Sequence, residues 1–265
     1  MPRNATAQID ADTGILTRSR SRRYFYDNFD AIPLIDASYD IGDQSGTDVT
    51  ALIEAAVEGN FNWFNSATDG VDAKMTHATF GGVLMTTDGT TADQQAIMPN
   101  TSAELQHGQE SLDLDTNRQP AVEWGFATSS DITTAQTIWA GLVLTQEVSY
   151  TVDFDADQIK LEYVAGANSG VFMIRHSIGG TDASIDTGIT VAASTEYFVK
   201  IKLYADRTFG IHVGEAADPG AAKYFHVDSA MTDLLTLKPT IGIQESGTAV
   251  AVTARYVAGG VNLWE

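Results

Sequence analysis

Glu196–Val213, EYFVKIKLYADRTFGIHV, spells a β-hairpin whose two faces read letter by letter. Successive strand side chains point to opposite sides, so Tyr197, Val199, Ile201 and Leu203 fall on one face and Phe198, Lys200, Lys202 and Tyr204 on the other. A polar turn, Ala205-Asp206-Arg207, leads to a second strand in which Phe209, Ile211 and Val213 recover the alternation. One face is core and the other is covered or wet.

The same alternation predicts strands over Phe61–Asn65, Thr79–Thr87, Gln95–Met98, Ala121–Thr128, Ile138–Thr145, Gln158–Val164, Gly170–Ile178, Ile185–Val191, Ala222–Val227, Thr240–Glu245 and Ala249–Leu263. Gly- and Asp-rich turns at short spacing separate them, as a two-sheet sandwich requires. Between Gly46 and Gly59, DVTALIEAAVE predicts one short helix, capped by Thr47 or Asp48, with Val49, Leu52, Ile53 and Ala56 on one stripe. MTDLLTLKP, Met231–Pro239, predicts a single helical turn that plugs one end of the sandwich with Leu234 and Leu235.

The chain of 265 residues carries a formal charge of −20, which argues against nucleic-acid binding and against adhesion to anionic membranes. No apolar run approaches the ~20 residues that span a bilayer. There is no cysteine, which removes disulfides, thiolate nucleophiles and cysteine-ligated metals. The start, MPRNATAQIDADTG, lacks the apolar stretch of a secretory signal, so synthesis and retention in a cytosol are expected.

Charge is unevenly placed. Arg3, Arg18, Arg20, Arg22 and Arg23 supply a third of the 15 Lys and Arg, and no Lys or Arg then occurs until Lys74. Residues 1–45 therefore read as an extended arm, basic and then acidic, and 46–265 as the sandwich domain. A tail of this composition orders only when something holds it. The expected anchors are Arg18, Arg20, Arg22, Arg23, Tyr24, Phe25 and Tyr26, with guanidinium groups pairing carboxylates on a neighbouring protein. The alternative is an arm folded back on its own domain.

Catalytic signatures are sparse. No strand carries the alternating carboxylates of a glycosidase, and Glu123 and Glu162 are single acids expected to face solvent. Asp153, Asp155 and Asp157 resemble the start of a calcium loop, but Gln158 and Val164 stand where an EF-hand needs Gly and Glu, leaving at most a looser site. His77, His107, His176, His212 and His226 show no metal-binding spacing. Trp124 and Trp139 read as core, and Trp63 and Trp264 as better placed for a partner.

FGGVLMTTDGTTADQQAIMP, VEWGFA, IWAGLVLT, DFDADQIKLEY, the opening hairpin and LLTLKPTIGIQ, in that order, resemble the concanavalin A/laminin G-like jelly-roll proteins among tailed-bacteriophage structural proteins. The resemblance spans roughly Gly59 to Glu265. It implies an all-β, concanavalin A-like jelly-roll sandwich. It also implies a non-enzymatic virion protein on the outer capsid surface, binding the major capsid protein and its own copies as a dimer or trimer, without a cofactor. The alternative it carries is a carbohydrate-binding tail or surface module that attaches to a host glycan.

Overall fold

The computed structural model describes residues 8–9, 16–17, 22–27, 29, 63–68, 74–78, 81–87, 91–99, 114–144 and 156–262. The expected helix at 48–58 lies outside them, as do Arg18, Arg20, His107, Asp153, Asp155 and Trp264. Among the described residues there is no helix of seven residues or more.

The amino-terminal strands are β1 (Gln8–Ile9), β2 (Leu16–Thr17), β3 (Arg22–Asp27), β4 (Trp63–Thr68), β5 (Lys74–His77), β6 (Val83–Thr86), β7 (Thr91–Pro99) and β8 (Leu114–Asp115). The middle of the chain forms β9 (Ala121–Thr128), β10 (Gln136–Val143), β11 (Gln158–Val164), β12 (Val171–Ile178) and β13 (Thr181–Thr190). The remainder forms β14 (Glu196–Leu203), β15 (Phe209–Glu215), β16 (Lys223–Val227), β17 (Thr236–Ser246) and β18 (Ala251–Asn262). They assemble into two antiparallel sheets. Sheet I, with ten strands, runs β1-β2-β3-β18-β9-β14-β15-β16 and carries β6 and β5 beside β18. Sheet II, with eight, runs β13-β12-β11-β10-β17-β7-β4 and carries β8 beside β17.

The hairpin reading holds. Leu203 pairs with Phe209 and Tyr197 with Glu215, and Tyr197, Val199, Ile201, Leu203, Phe209, Ile211 and Val213 are fully buried. Asp206 closes the turn by accepting from the Thr208 N–H at 3.0 Å and hydroxyl at 2.7 Å. Arg207 takes a left-handed φ of 63°, unusual for a long side chain. It is tied there on both sides: its carbonyl accepts from Met231 N–H at 3.0 Å and its Nε donates to the Met231 carbonyl at 2.9 Å.

The core fills the space between the sheets. Val122, Trp124 and Phe126 of β9 meet Ile138, Ala140 and Leu142 of β10, and Trp124 Nε1 donates across the gap to the Gly141 carbonyl at 3.3 Å. Phe126, Phe172 and Tyr197 interlock, with Phe172 and Tyr197 edge to face at 4.9 Å. Edge-to-face rings place a positive edge against a negative face, which adds to the area they remove from water.

Two expectations change. Arg22–Asp27 is no unpaired arm, since β3 lies antiparallel along β18 with Arg22 opposite Asn262 and Tyr26 opposite Ala258. That stretch follows the alternative of a chain folded back on its own domain, and the sandwich therefore begins before the expected boundary at residue 45. Phe29, just beyond it, is buried and stacks on Trp124 at 6.4 Å. Met231–Pro239 is not a helical plug either. Leu234 has a left-handed φ of 58° and is 77% exposed, while Met231 and Leu237 on either side are the buried residues.

Candidate ligand-binding site

Outward residues of β14, β15 and β16 converge at one edge of sheet I. The register sets Lys202 opposite Gly210 and Gly210 opposite His226, and beside that row sets Lys200 opposite His212 and His212 opposite Tyr224. Residues aligned across adjacent strands on one face interact directly. Tyr204, one step beyond β14, continues its outward alternation into the turn.

Gly210 makes the cluster possible. A Cβ there would sit 2.7 Å from Tyr204 Oη and 2.8 Å from Tyr224 Oη, so both phenols lie across bare backbone. Their hydroxyls meet at 3.0 Å. Tyr224 Oη is 3.3 Å from His226 Nδ1, and His226 Nε2 is 3.2 Å from Asp228 Oδ1. With the ring proton on Nε2 donated to Asp228, Nδ1 accepts from Tyr224 and Tyr224 accepts from Tyr204. The contact with Tyr224 holds the Tyr204 hydroxyl above the usual phenol range, with partial burial adding in the same direction. His212 stands edge-on to Tyr224 at 4.7 Å, and Lys202 Nζ lies 5.3 Å from the Tyr204 ring centroid. Tyr224 remains 50% exposed. The result is an open aromatic floor with hydroxyl, imidazole and ammonium groups around it, a composition that recognises small polar molecules with apolar faces.

The single acids of the strands lie elsewhere. Glu123, on the outer face of sheet I, accepts from Tyr256 Oη at 2.8 Å and pairs with Lys200 at 3.5 Å. Glu162 corrects an expectation, because its side chain is only 3% exposed rather than solvated. It lies on the face of sheet II away from the inter-sheet core, between Lys160 Nζ at 3.5 Å and Arg175 Nε at 3.0 Å. A carboxylate flanked by two cations compensates charge. Asp157 is buried and accepts from Thr232 N–H at 3.3 Å. Among the described residues no group of three or more His, Asp or Glu is placed to hold a metal ion.

Trp124 and Trp139 are fully buried, as their apolar strands predicted. Arg22, Arg23, Tyr24, Phe25 and Tyr26 lie on β3, separated from β15 by three intervening strands of sheet I. The sequence reading singled out none of Gly210, Tyr224 and the Tyr204 contact. The available signal was KYFHV, Lys223–Val227, whose alternation sets Tyr224 and His226 on one face.

No protein-family model matches the chain, and no characterised protein matches it in sequence. Solved structures do match in fold. A protein of unknown function from Shewanella oneidensis MR-1 superposes with a TM-score of 0.58 at 14% identity, over 93% of this chain and 89% of its own. Peanut lectin, in a complex with a nine-residue peptide, gives 0.53 at 9% identity over 92% of this chain and 99% of the lectin. The exoplasmic/lumenal domain of VIP36, in its Ca2+/Man3GlcNAc-bound form, gives 0.51 at 7% identity over 77% and 85% of the two chains. Two antiparallel sheets in this arrangement give the chain the fold of a concanavalin A-like jelly-roll sandwich.

Proposed function

We propose that the chain is a non-enzymatic carbohydrate-binding module whose binding surface is the Tyr204–Tyr224–His226 cluster on sheet I. The observation that carries this reading is the pair of phenols laid over Gly210 with Tyr224 half exposed. A pyranose ring has an apolar face and a polar rim. The aromatic floor takes the face, and the Tyr204 and Tyr224 hydroxyls, His212 and His226 address the rim. Lectin folds among the structural neighbours are consistent with it.

The test is binding of the intact protein to an array of neutral and acidic oligosaccharides, followed by calorimetry on the hits. Tyr224→Ala should weaken binding at least about 10-fold, the scale of losing an anchoring aromatic, with circular dichroism unchanged. Binding that survives Tyr224→Ala would remove the site from the reading. If no saccharide binds while the protein co-sediments with undecorated capsids, the virion role implied by the resemblance takes its place. Contacts with the major capsid protein, a dimer or trimer and an outer-capsid location belong to that role, and none of the neighbours named above bears on them.

A further inference from the structure

We infer that the cluster selects saccharides bearing a carboxylate, with Lys202 receiving the acid group; this rests on the carbohydrate-binding reading and specifies its ligand. The chain has 35 Asp and Glu against 15 Lys and Arg, so two lysines on one patch of a strand face stand out. Lys200 and Lys202 project from one face of β14, opposite His212 and Gly210 of β15.

The two lysines differ in their partners. Lys200 Nζ pairs with Glu123 at 3.5 Å. Lys202 has no carboxylate partner among the described residues, and its contact is the Tyr204 ring at 5.3 Å. The nearby acids are engaged at the rim: Asp228 with His226 at 3.2 Å, and Asp206 with the Thr208 N–H and hydroxyl. An ammonium beside a second ammonium, in a protein this acidic, would ordinarily draw one of the many carboxylates. Leaving it open keeps three strong donors directed at whatever lies on the tyrosines. A sugar seated on Tyr204 and Tyr224 brings a ring carboxylate within reach of Lys202, and a charge-assisted hydrogen bond there separates acidic from neutral sugars of one skeleton.

The experiment uses two matched pairs of probes: tetragalacturonate with its methyl ester, and 3′-sialyllactose with lactose. Calorimetry at low salt should show the acid of at least one pair binding about 10-fold more tightly than its neutral counterpart, on the order of 1.4 kcal/mol. The advantage should collapse at about 0.5 M NaCl, where exposed charges are screened. It should vanish in Lys202→Gln, persist in Lys202→Arg, and be lost together with neutral binding in Gly210→Ala, whose new Cβ displaces both phenols. Equal affinity for acid and neutral forms overturns the inference and leaves the carbohydrate reading intact. Absence of binding by all four probes overturns both. Equally tight binding of a polyglutamate peptide overturns the inference as well, because charge alone would then suffice.

Discussion

On the outer face of sheet II, Trp139 lies against Gly242 and is fully buried, whereas on sheet I Tyr204 and Tyr224 lie over Gly210 and Tyr224 keeps half its surface in solvent. Both faces use a glycine to let a ring rest on backbone. The charges divide in the same way. Lys160 and Glu162 on sheet II are 1% and 3% exposed and paired, while Lys202 on sheet I is exposed and has no carboxylate partner among the described residues. A buried charge demands a permanent partner, and an exposed one can wait for a transient partner. The contrast separates a face whose rings and charges are buried from a face that leaves them open to solvent.

The largest expected effect breaks the buried side of that comparison. Glu162→Gln removes the carboxylate that Lys160 and Arg175 share and so breaks a buried ion pair, and urea unfolding should show a loss of about 3–5 kcal/mol. Glu123→Gln, on the exposed face, should cost less than about 1 kcal/mol. Equal losses would erase the distinction between the faces. The glycines come next. Gly242→Ala drives a methyl into the Trp139 ring and the Gln95 carbonyl, neither of which has room to yield. A loss of about 1–3 kcal/mol follows from such overpacking. Gly210→Ala meets only the far ends of two tyrosines, so stability should change by less than about 1 kcal/mol while saccharide binding disappears.

Acid should test the buried side of the comparison. His176 faces the core, packs edge-on against Phe209 at 5.5 Å, and is held below its usual range by burial. The unfolded chain therefore takes up a proton that the folded chain resists. Stability is intact above the unfolded value of about 6.5 and declines as pH falls below it, by at most about 1.4 kcal/mol per pH unit, until the depressed folded value is reached. Denaturant midpoints measured from pH 7 to 5 should show this slope, and His176→Leu should flatten it. An unchanged slope would assign the acid sensitivity to other groups.

Much of sheet I and sheet II was legible in the chain because alternation is local. Ala121–Thr128 and Gln158–Val164 were predicted with the observed bounds. Arg22–Asp27 was missed because its arginines outweighed Tyr24-Phe25-Tyr26, a run whose β propensity was the available signal. Glu162 was assigned correctly to the outward side of its strand and wrongly to solvent, since alternation tells which face a residue takes and not what covers that face. The site was legible only in halves. The hairpin gives Tyr204 and Lys202, and KYFHV gives Tyr224 and His226, but their convergence over Gly210 depends on the β15–β16 register, which neither strand encodes alone.

The smallest effect tests the hydrogen-bonded chain within the exposed cluster. Tyr204 is raised first by its contact with Tyr224, so Tyr224→Phe should return Tyr204 toward the ordinary phenol value near ~10. A raised folded value stabilises the fold below the unfolded one and is lost as pH climbs through the folded one, although for a group this open the change in stability should be slight. Tyr163 and Tyr197 are raised by burial and provide an internal reference that Tyr224→Phe leaves in place. Ultraviolet titration should therefore show one late-ionising tyrosine moving earlier in Tyr224→Phe and vanishing in Tyr204→Phe, with the buried pair unmoved. If all late transitions stay where they were, the two hydroxyls share no proton in solution, and the floor binds through its ring faces alone.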